Sequence, residues 1–211
     1  GQPSKHPLIG IKTNTQTMAH LSELKQVMNK CLESLTLLEQ VVFQIAEITG
    51  NIPPVSLSNV HSLLNEVKDV HHKRQMVLDS ASVEIFSSDI KEFEYRKKEI
   101  QHSTPIIRFI KKWILWEKVK QQGANISWSN LEKFIEALSA LEEIPLHKQI
   151  SPKASLDNVL ASYEKWLDVF GKLRAWLDIE QWELLSIHDL EESLKRWSEH
   201  LDMLKDWKQW C

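Results

Sequence analysis

The sequence predicts an all-α protein in which a long antiparallel coiled-coil hairpin is attached to a Trp-rich helical bundle. Five Gly and seven Pro occur in 211 residues, and they fall between segments of helical periodicity, as helix breakers do. Near the N-terminus, apolar residues recur in alternating steps of three and four over four heptads, which is typical of a coiled-coil seam. All nine tryptophans lie between Trp113 and Trp210. This change in composition predicts a domain boundary near residue 103.

The hairpin is predicted over residues 16–102, after an N-terminal linker at 1–15. Gly50 and Pro53-Pro54 end its first arm, and we expect Leu24, Leu35 and Leu38 to face the second arm. The seam of the first arm is Leu21, Leu24, Met28, Cys31, Leu35, Leu38, Val42 and Ile45. The seam of the second arm is Val60, Leu63, Val67, Val70, Arg74, Val77 and Ala81.

The second arm contains two irregularities. Arg74 interrupts its apolar seam. A second register of apolar residues starts at Val83, two residues after Ala81, the last residue of the first seam. Such a shift either breaks the helix near Ser80 and Ser82 or locally rewinds the coil.

Residues 103–211 are predicted to form the Trp-rich bundle. Thr104-Pro105 places a capping residue before a proline at the first helical position, and this helix is expected to run to Gly123. The remaining helix starts are predicted at Ser127 or Ser129, at Ser151 or Ser155, and at Ser186 with Asp189.

Composition limits the classes of function. Lys and Arg total 26 and Asp and Glu total 29, for a net charge of −3, so the whole chain has no electrostatic preference for nucleic acid or an anionic membrane. Apolar runs such as 106–115 are short and interrupted by cations, which predicts neither a membrane span nor a signal peptide. Cys31 lies on an apolar stripe and Cys211 is the last residue, a pattern that fits unpaired thiols in a reducing compartment. We therefore expect a cytoplasmic protein without a membrane partner.

No catalytic, cofactor-binding or metal-binding residues are predicted. The glycines are isolated and none precedes Lys-Ser or Lys-Thr, so a phosphate-binding loop is missing. His71 and His72 are adjacent, and no Cys, Asp or Glu at i+4 completes a metal-ligand set around them. We expect no enzyme activity, no cofactor and no small-molecule substrate in this segment.

A basic segment spans residues 91–120, with nine Lys or Arg against four Glu. Trp113 and Trp116 are interleaved with these cations, as in surfaces that bind nucleic acid. The predicted contacts to DNA or RNA are Arg108, Lys111, Lys112, Trp116 and Lys118. The alternative is a solvated basic face with aromatics in the core. Because the two tryptophans are three residues apart, they are expected to share one environment.

Four of the other tryptophans fall into two groups. Trp166 and Trp197 lie on apolar helical stripes and are predicted to belong to the core. Trp207 and Trp210 lie at the end of the chain and are predicted to contact a partner, because large aromatics without a place in a core often mark contact surfaces.

Two stretches near the ends of the sequence carry a family resemblance. The first is KHPLIGIKTNT, with His6-Pro7, Gly10 and Thr15, directly before the long coiled-coil helix. The second is SIHDLEESLKRWSEHLDMLKDWKQW, in which Asp206-Trp207 follows a Leu-rich helix. Together they resemble the two ends of a helical insertion in very large bacterial superfamily 1 DNA/RNA helicases.

The resemblance implies a non-catalytic stalk that interrupts the first motor domain of an ATP-dependent helicase. The ATPase residues of that helicase would belong to the remainder of the larger parent chain, outside this segment. The segment would act as a lever, a strand-guiding element or a partner-docking element. The alternative is a freestanding helical adaptor for protein–protein interaction.

Overall fold

The fold is all α, as predicted. A computed structural model describes residues 18–50, 53–54, 56–176 and 182–209, and the only β contacts in this part are two isolated bridges. No helix in it combines the length and apolar character needed to cross a bilayer. The α-helices are α1 (Met18–Thr49), α2 (Leu57–Leu78), α3 (Ile90–Gln101), α4 (Pro105–Gln121), α5 (Leu131–Glu142), α6 (Pro145–Gln149), α7 (Asp157–Trp176) and α8 (Ile187–Gln209). Short 3-10 helices lie at Val83–Ser87, Trp128–Asn130 and Trp182–Leu184.

These helices form two compact units. The first contains α1 up to Glu47, α2 up to Leu64, and α7 and α8. The second contains the rest of α2 and α3 to α6, ending at Leu156. The predicted segments 16–102 and 103–211 each contribute to both units. The predicted linker at 1–15 lies outside the described residues.

The predicted seam of α1 lies in the core of the first unit. All eight residues of the predicted seam are buried, including Leu24, Leu35 and Leu38. Lys25 of α1 forms an ion pair with Asp202 of α8. Since α1 shares its unit with α7 and α8 as well as with the start of α2, the pairing of α1 with α2 in a hairpin stays a prediction.

Aromatic side chains fill another part of the first unit. Trp166 of α7 is fully buried, as predicted, and stacks on Phe170 with ring centroids 4.8 Å apart. Trp182 meets Phe170 edge-on at 5.0 Å. Trp197, the other predicted core tryptophan, is only partly buried.

The start of α8 confirms the predicted cap at Ser186. Its hydroxyl accepts a hydrogen bond from Asp189 N at 3.0 Å, and the Asp189 carboxylate accepts one from Ser186 N at 3.3 Å. This reciprocal pair satisfies two backbone donors that the first turn of a helix leaves free.

In the second unit, the register shift breaks the helix and does not rewind a coil. α2 ends at Leu78, and the chain after it is held by two backbone hydrogen bonds, Ser82 N to Gly123 O (2.9 Å) and Asn125 N to Ser80 O (2.7 Å). Gly123 ends α4 with φ +97°, and a Cβ at this position would lie 2.1 Å from Ser82 Oγ. Only glycine fits this turn without strain.

Arg74, which interrupts the seam of α2, has a structural role in the second unit. Its side chain is buried and donates to the carbonyl oxygens of Ile150 (2.8 Å), Ser151 (3.0 Å) and His147 (3.3 Å). Its Nε also donates to His147 Nδ1 at 3.0 Å. The guanidinium thus satisfies carbonyl groups that the short helix α6 leaves free at its C-terminus.

Candidate docking surface on helix α4

Helices α3 and α4 pack against each other as antiparallel neighbours. Lys118 donates to Glu92 at 2.5 Å, and Lys111 lies 3.6 Å from Glu99, so residues late in α4 meet residues early in α3. Thr104 occupies the N-cap position before Pro105 at the first helical position, as the sequence predicts, but its side chain makes no capping hydrogen bond.

The inner face of α4 is apolar and well packed. Leu115 and Val119 are buried. Leu115 lines a crevice together with Ile100 of α3 and Ile135 of α5. These contacts fix the rotation of α4 about its axis, and they use a narrow stripe of the helix.

The outer face of α4 is also apolar, but it is exposed. Successive residues turn by about 100°, so the six exposed apolar side chains lie within an arc of roughly 160°. Taking about 200 Å² for each fully exposed side chain, their exposed area is on the order of 600 to 700 Å², at or above the largest patch of a typical monomer. The exposed fractions are 76% for Ile106, 48% for Ile107, 64% for Phe109, 50% for Ile110, 51% for Trp113 and 45% for Ile114.

The charges of α4 lie beside this outer face. No Asp or Glu occurs from Gln101 to Trp116. By the helical rotation, Lys111 lies beyond one edge of the apolar arc and Lys112 beyond the other. Glu117 lies on the midline and ends the arc. The outer face is thus an uncharged surface of about two and a half turns with lysines on both sides.

The predicted nucleic-acid contacts lie on this helix, but its cations already have partners in the second unit. Arg108 donates to the carbonyl oxygens of Gln101 at 3.3 Å and Ser103 at 3.1 Å. Lys112 donates to Glu132 at 3.0 Å. With the Lys111 and Lys118 pairs to α3, three of the four cations among the predicted contacts are paired with carboxylates. A phosphate would have to compete with these contacts.

Trp113 and Trp116 do not share one environment, so that prediction is wrong. Trp113 is half exposed on the outer face. Trp116 is partly buried, donates from Nε1 to Ile126 O at 2.9 Å and meets Trp128 edge-on at 6.0 Å. Lys120 Nζ lies 4.2 Å from the centroid of the Trp116 ring. The 60° between the two positions on the helix separates a solvent-facing ring from a packed one.

The predicted partner contacts at the C-terminus are not tested by the structure. Trp207 lies in the last turns of α8, and its side chain is outside what the structure describes. Trp210 lies outside the described residues altogether.

Two histidines in the packed parts of the molecule have lowered pKa values. His147 lies beside a cavity of about 320 Å³, and burial, with the nearby Arg74 charge, lowers its pKa to about 4. His61 Nδ1 lies 2.6 Å from Tyr163 Oη, and burial also lowers the pKa of His61. Across the described ranges, no group of three or more His, Cys, Asp or Glu side chains is arranged to hold a metal. Both histidines have packing partners that account for their positions.

The outer face of α4 is the feature that the sequence analysis missed. From the sequence, the run 106–115 is too short and too charged for a membrane span, and it forms part of the basic segment with its interleaved tryptophans. A signal was present, because apolar residues at 106, 107, 109, 110, 113, 114, 115 and 119 cover more of the helix than one core contact uses.

No protein-family model matches the chain, and neither a curated protein nor a solved structure similar to it was found. The geometry of α4 and the resemblance at the two ends of the sequence are therefore the features that bear on function.

Proposed function

We propose that this chain is a non-catalytic helical docking segment of a larger protein, and that the outer face of α4 is its docking surface. The observation that carries the proposal is the exposure of six large apolar side chains on one helical arc. Water contact with such an area is unfavourable, and removing it from water provides a driving force for association. The docking surface is defined as Ile106, Ile107, Phe109, Ile110, Trp113 and Ile114.

The proposed parent is a large bacterial superfamily 1 helicase, with this segment as its stalk. The resemblance at the two ends of the sequence supports this parent. ATP binding and hydrolysis would then be properties of the motor domains, and the docking surface would couple the segment to them or to an accessory protein. A freestanding adaptor is the alternative, and it would use the same surface.

Strand guiding by the basic segment is the second candidate. It is favoured by Arg108, which is exposed and whose guanidinium contacts carbonyl oxygens. Titration of labelled single- and double-stranded oligonucleotides at low and moderate salt tests it, since phosphate contacts weaken steeply with salt. Replacing Arg108, Lys111 and Lys112 by Glu should then abolish binding. If neither oligonucleotide binds at low salt, the strand-guiding role is wrong.

Site-specific photocrosslinking tests the docking proposal. A benzophenone amino acid at Ile110, in the middle of the docking surface, is compared in cells with the same group at Lys133, an exposed position of α5. We expect a discrete protein adduct at position 110 and none at 133. An adduct within the same polypeptide favours the helicase insertion, and an adduct with another polypeptide favours the adaptor. Equal labelling at both positions, or none at 110, would refute the docking role.

A further inference from the structure

Resting on that docking role, we propose that the docking surface binds a single amphipathic α-helix of a protein partner, with acidic residues flanking the apolar seam of that helix. The spacing, the bordering charges and the residue types of α4 each contribute one step to this proposal.

The spacing of the docking surface suits a helix. Ile106, Ile110 and Trp113 follow steps of four and three, and Ile107, Ile110 and Ile114 follow steps of three and four. Residues with these spacings form ridges between which the side chains of a second helix pack. The surface extends about 12 Å along the axis, which matches two to three turns of a partner. The docking surface therefore has the length and periodicity of the contact surface that one helix contributes to a short pair of packed helices.

The border of the surface predicts the charge of the partner. Lys111 and Lys112 lie on opposite sides of the apolar arc, in the places where flanking residues of a paired helix set partner choice. Their present pairs, with Glu99 at 3.6 Å and Glu132 at 3.0 Å, are partly exposed, and Lys112 also lies over the Trp128 ring. Partly exposed pairs of this kind contribute little to stability. Acidic side chains on a docked helix would compete with Glu99 and Glu132 for these lysines, as a phosphate would, and the weakness of the present pairs keeps the cost of that exchange small.

The same border disfavours a second copy of this chain. A two-fold contact between two α4 helices would place Lys111 and Lys112 of both copies around one seam, and like charges across an interface are destabilising.

An anionic membrane is disfavoured by the neighbouring carboxylates. Glu99 and Glu132 are about half exposed and lie directly beyond the lysines. A flat anionic surface would meet them, whereas a helix is narrow enough to cover only the apolar arc. Four of the six residues are isoleucines, whose stiff side chains suit a defined protein contact.

Synthetic helices test this inference directly. Two fluorescent peptides of roughly three heptads carry the same Leu seam, one flanked by Glu and one by Lys. Their binding to the purified chain is measured by anisotropy. We expect the Glu peptide to bind at least tenfold more tightly than the Lys peptide. Ile110→Asp should weaken the Glu peptide at least tenfold, and the matched control Lys133→Asp should leave it within about twofold. Circular dichroism checks that both variants stay folded.

Four other results of these binding measurements would overturn the inference. Equal binding of the Glu and Lys peptides overturns the acidic partner. No binding of either peptide, together with a protein adduct at position 110, overturns the helical partner and leaves the docking role standing. Binding to phosphatidylserine vesicles without peptide binding assigns the surface to lipid. Self-association that Ile110→Asp abolishes assigns it to a second copy. Both of these results overturn the inference.

Discussion

Replacing Arg74 by Met should destabilise the second unit although nothing in its surface changes. The methionine keeps much of the apolar stem of the arginine and removes the guanidinium. The carbonyl oxygens of His147 and Ile150 and the Nδ1 atom of His147 then lose their hydrogen bonds from Arg74. Ser151 O also loses one from Arg74, but it still accepts from Ala154 N at 3.1 Å. The C-terminus of α6 would be left without its cap.

The size of the effect follows from these contacts. Four hydrogen bonds at about 1 kcal/mol each give roughly 4 kcal/mol. Burial of the guanidinium, which lowers the pKa of Arg74, costs desolvation energy that the variant recovers, about 1 to 2 kcal/mol. Water in the adjoining cavity can also hydrate part of the freed carbonyl groups. We therefore expect a net loss of about 2 to 3 kcal/mol in the free energy of unfolding.

Urea unfolding at neutral pH, followed by circular dichroism, measures this loss. Lys73→Met is the matched control, because Lys73 lies next to Arg74 on α2 and forms an exposed pair with Asp69 at 2.7 Å, and its removal should cost less than about 0.5 kcal/mol. If Arg74→Met lowers the free energy of unfolding by less than about 1 kcal/mol, or by no more than Lys73→Met does, the guanidinium does not stabilise the C-terminus of α6.

The remaining predictions concern pH and two glycines. His147 has a folded pKa of about 4 against an ordinary 6.5, so the unfolded chain binds more protons between these values and stability falls by up to about 3 kcal/mol as pH drops through that window. Unfolding titrations should show this slope, and His147→Gln should flatten it. Gly171 lies inside α7 with open space at its Cβ position. Its substitution by Ala should raise the free energy of unfolding by about 0.5 to 1 kcal/mol. Gly123→Ala should lower the thermal midpoint because of its positive φ and the contact with Ser82. An unchanged midpoint in both glycine variants would contradict this reasoning.

The all-α class and most helix ends could be predicted from local signals. Thr104-Pro105, Gly123 and the Ser186 cap act within one turn of the chain, so their residue types are sufficient to predict them. The buried seam of α1 was also predictable, because a heptad pattern repeats over many residues. These features depend on neighbours in sequence.

Features that depend on partners distant in sequence could not be predicted. Arg74 looked like an interruption because its acceptors lie more than seventy residues away. The grouping of α1 with α7 and α8 also depends on long-range packing. The apolar periodicity of α1 is the same whether a neighbouring arm or a helix distant in sequence covers its seam residues.

Helix α4 shows why a candidate site is harder to predict than a core. Its sequence contains two apolar arcs, and periodicity alone gives them the same appearance. The difference arises because α3 and α5 approach one side, where Leu115 contributes to their shared crevice, while Ile106 and Ile110 stay exposed. The basic segment was predictable as a charge count, but its lysines are paired with carboxylates up to twenty-six residues away. An apolar surface bordered by such paired lysines is suited to a partner that brings its own apolar seam and carboxylates, which is why the docking role and its acidic helix are tested at Ile110 and not at the cations.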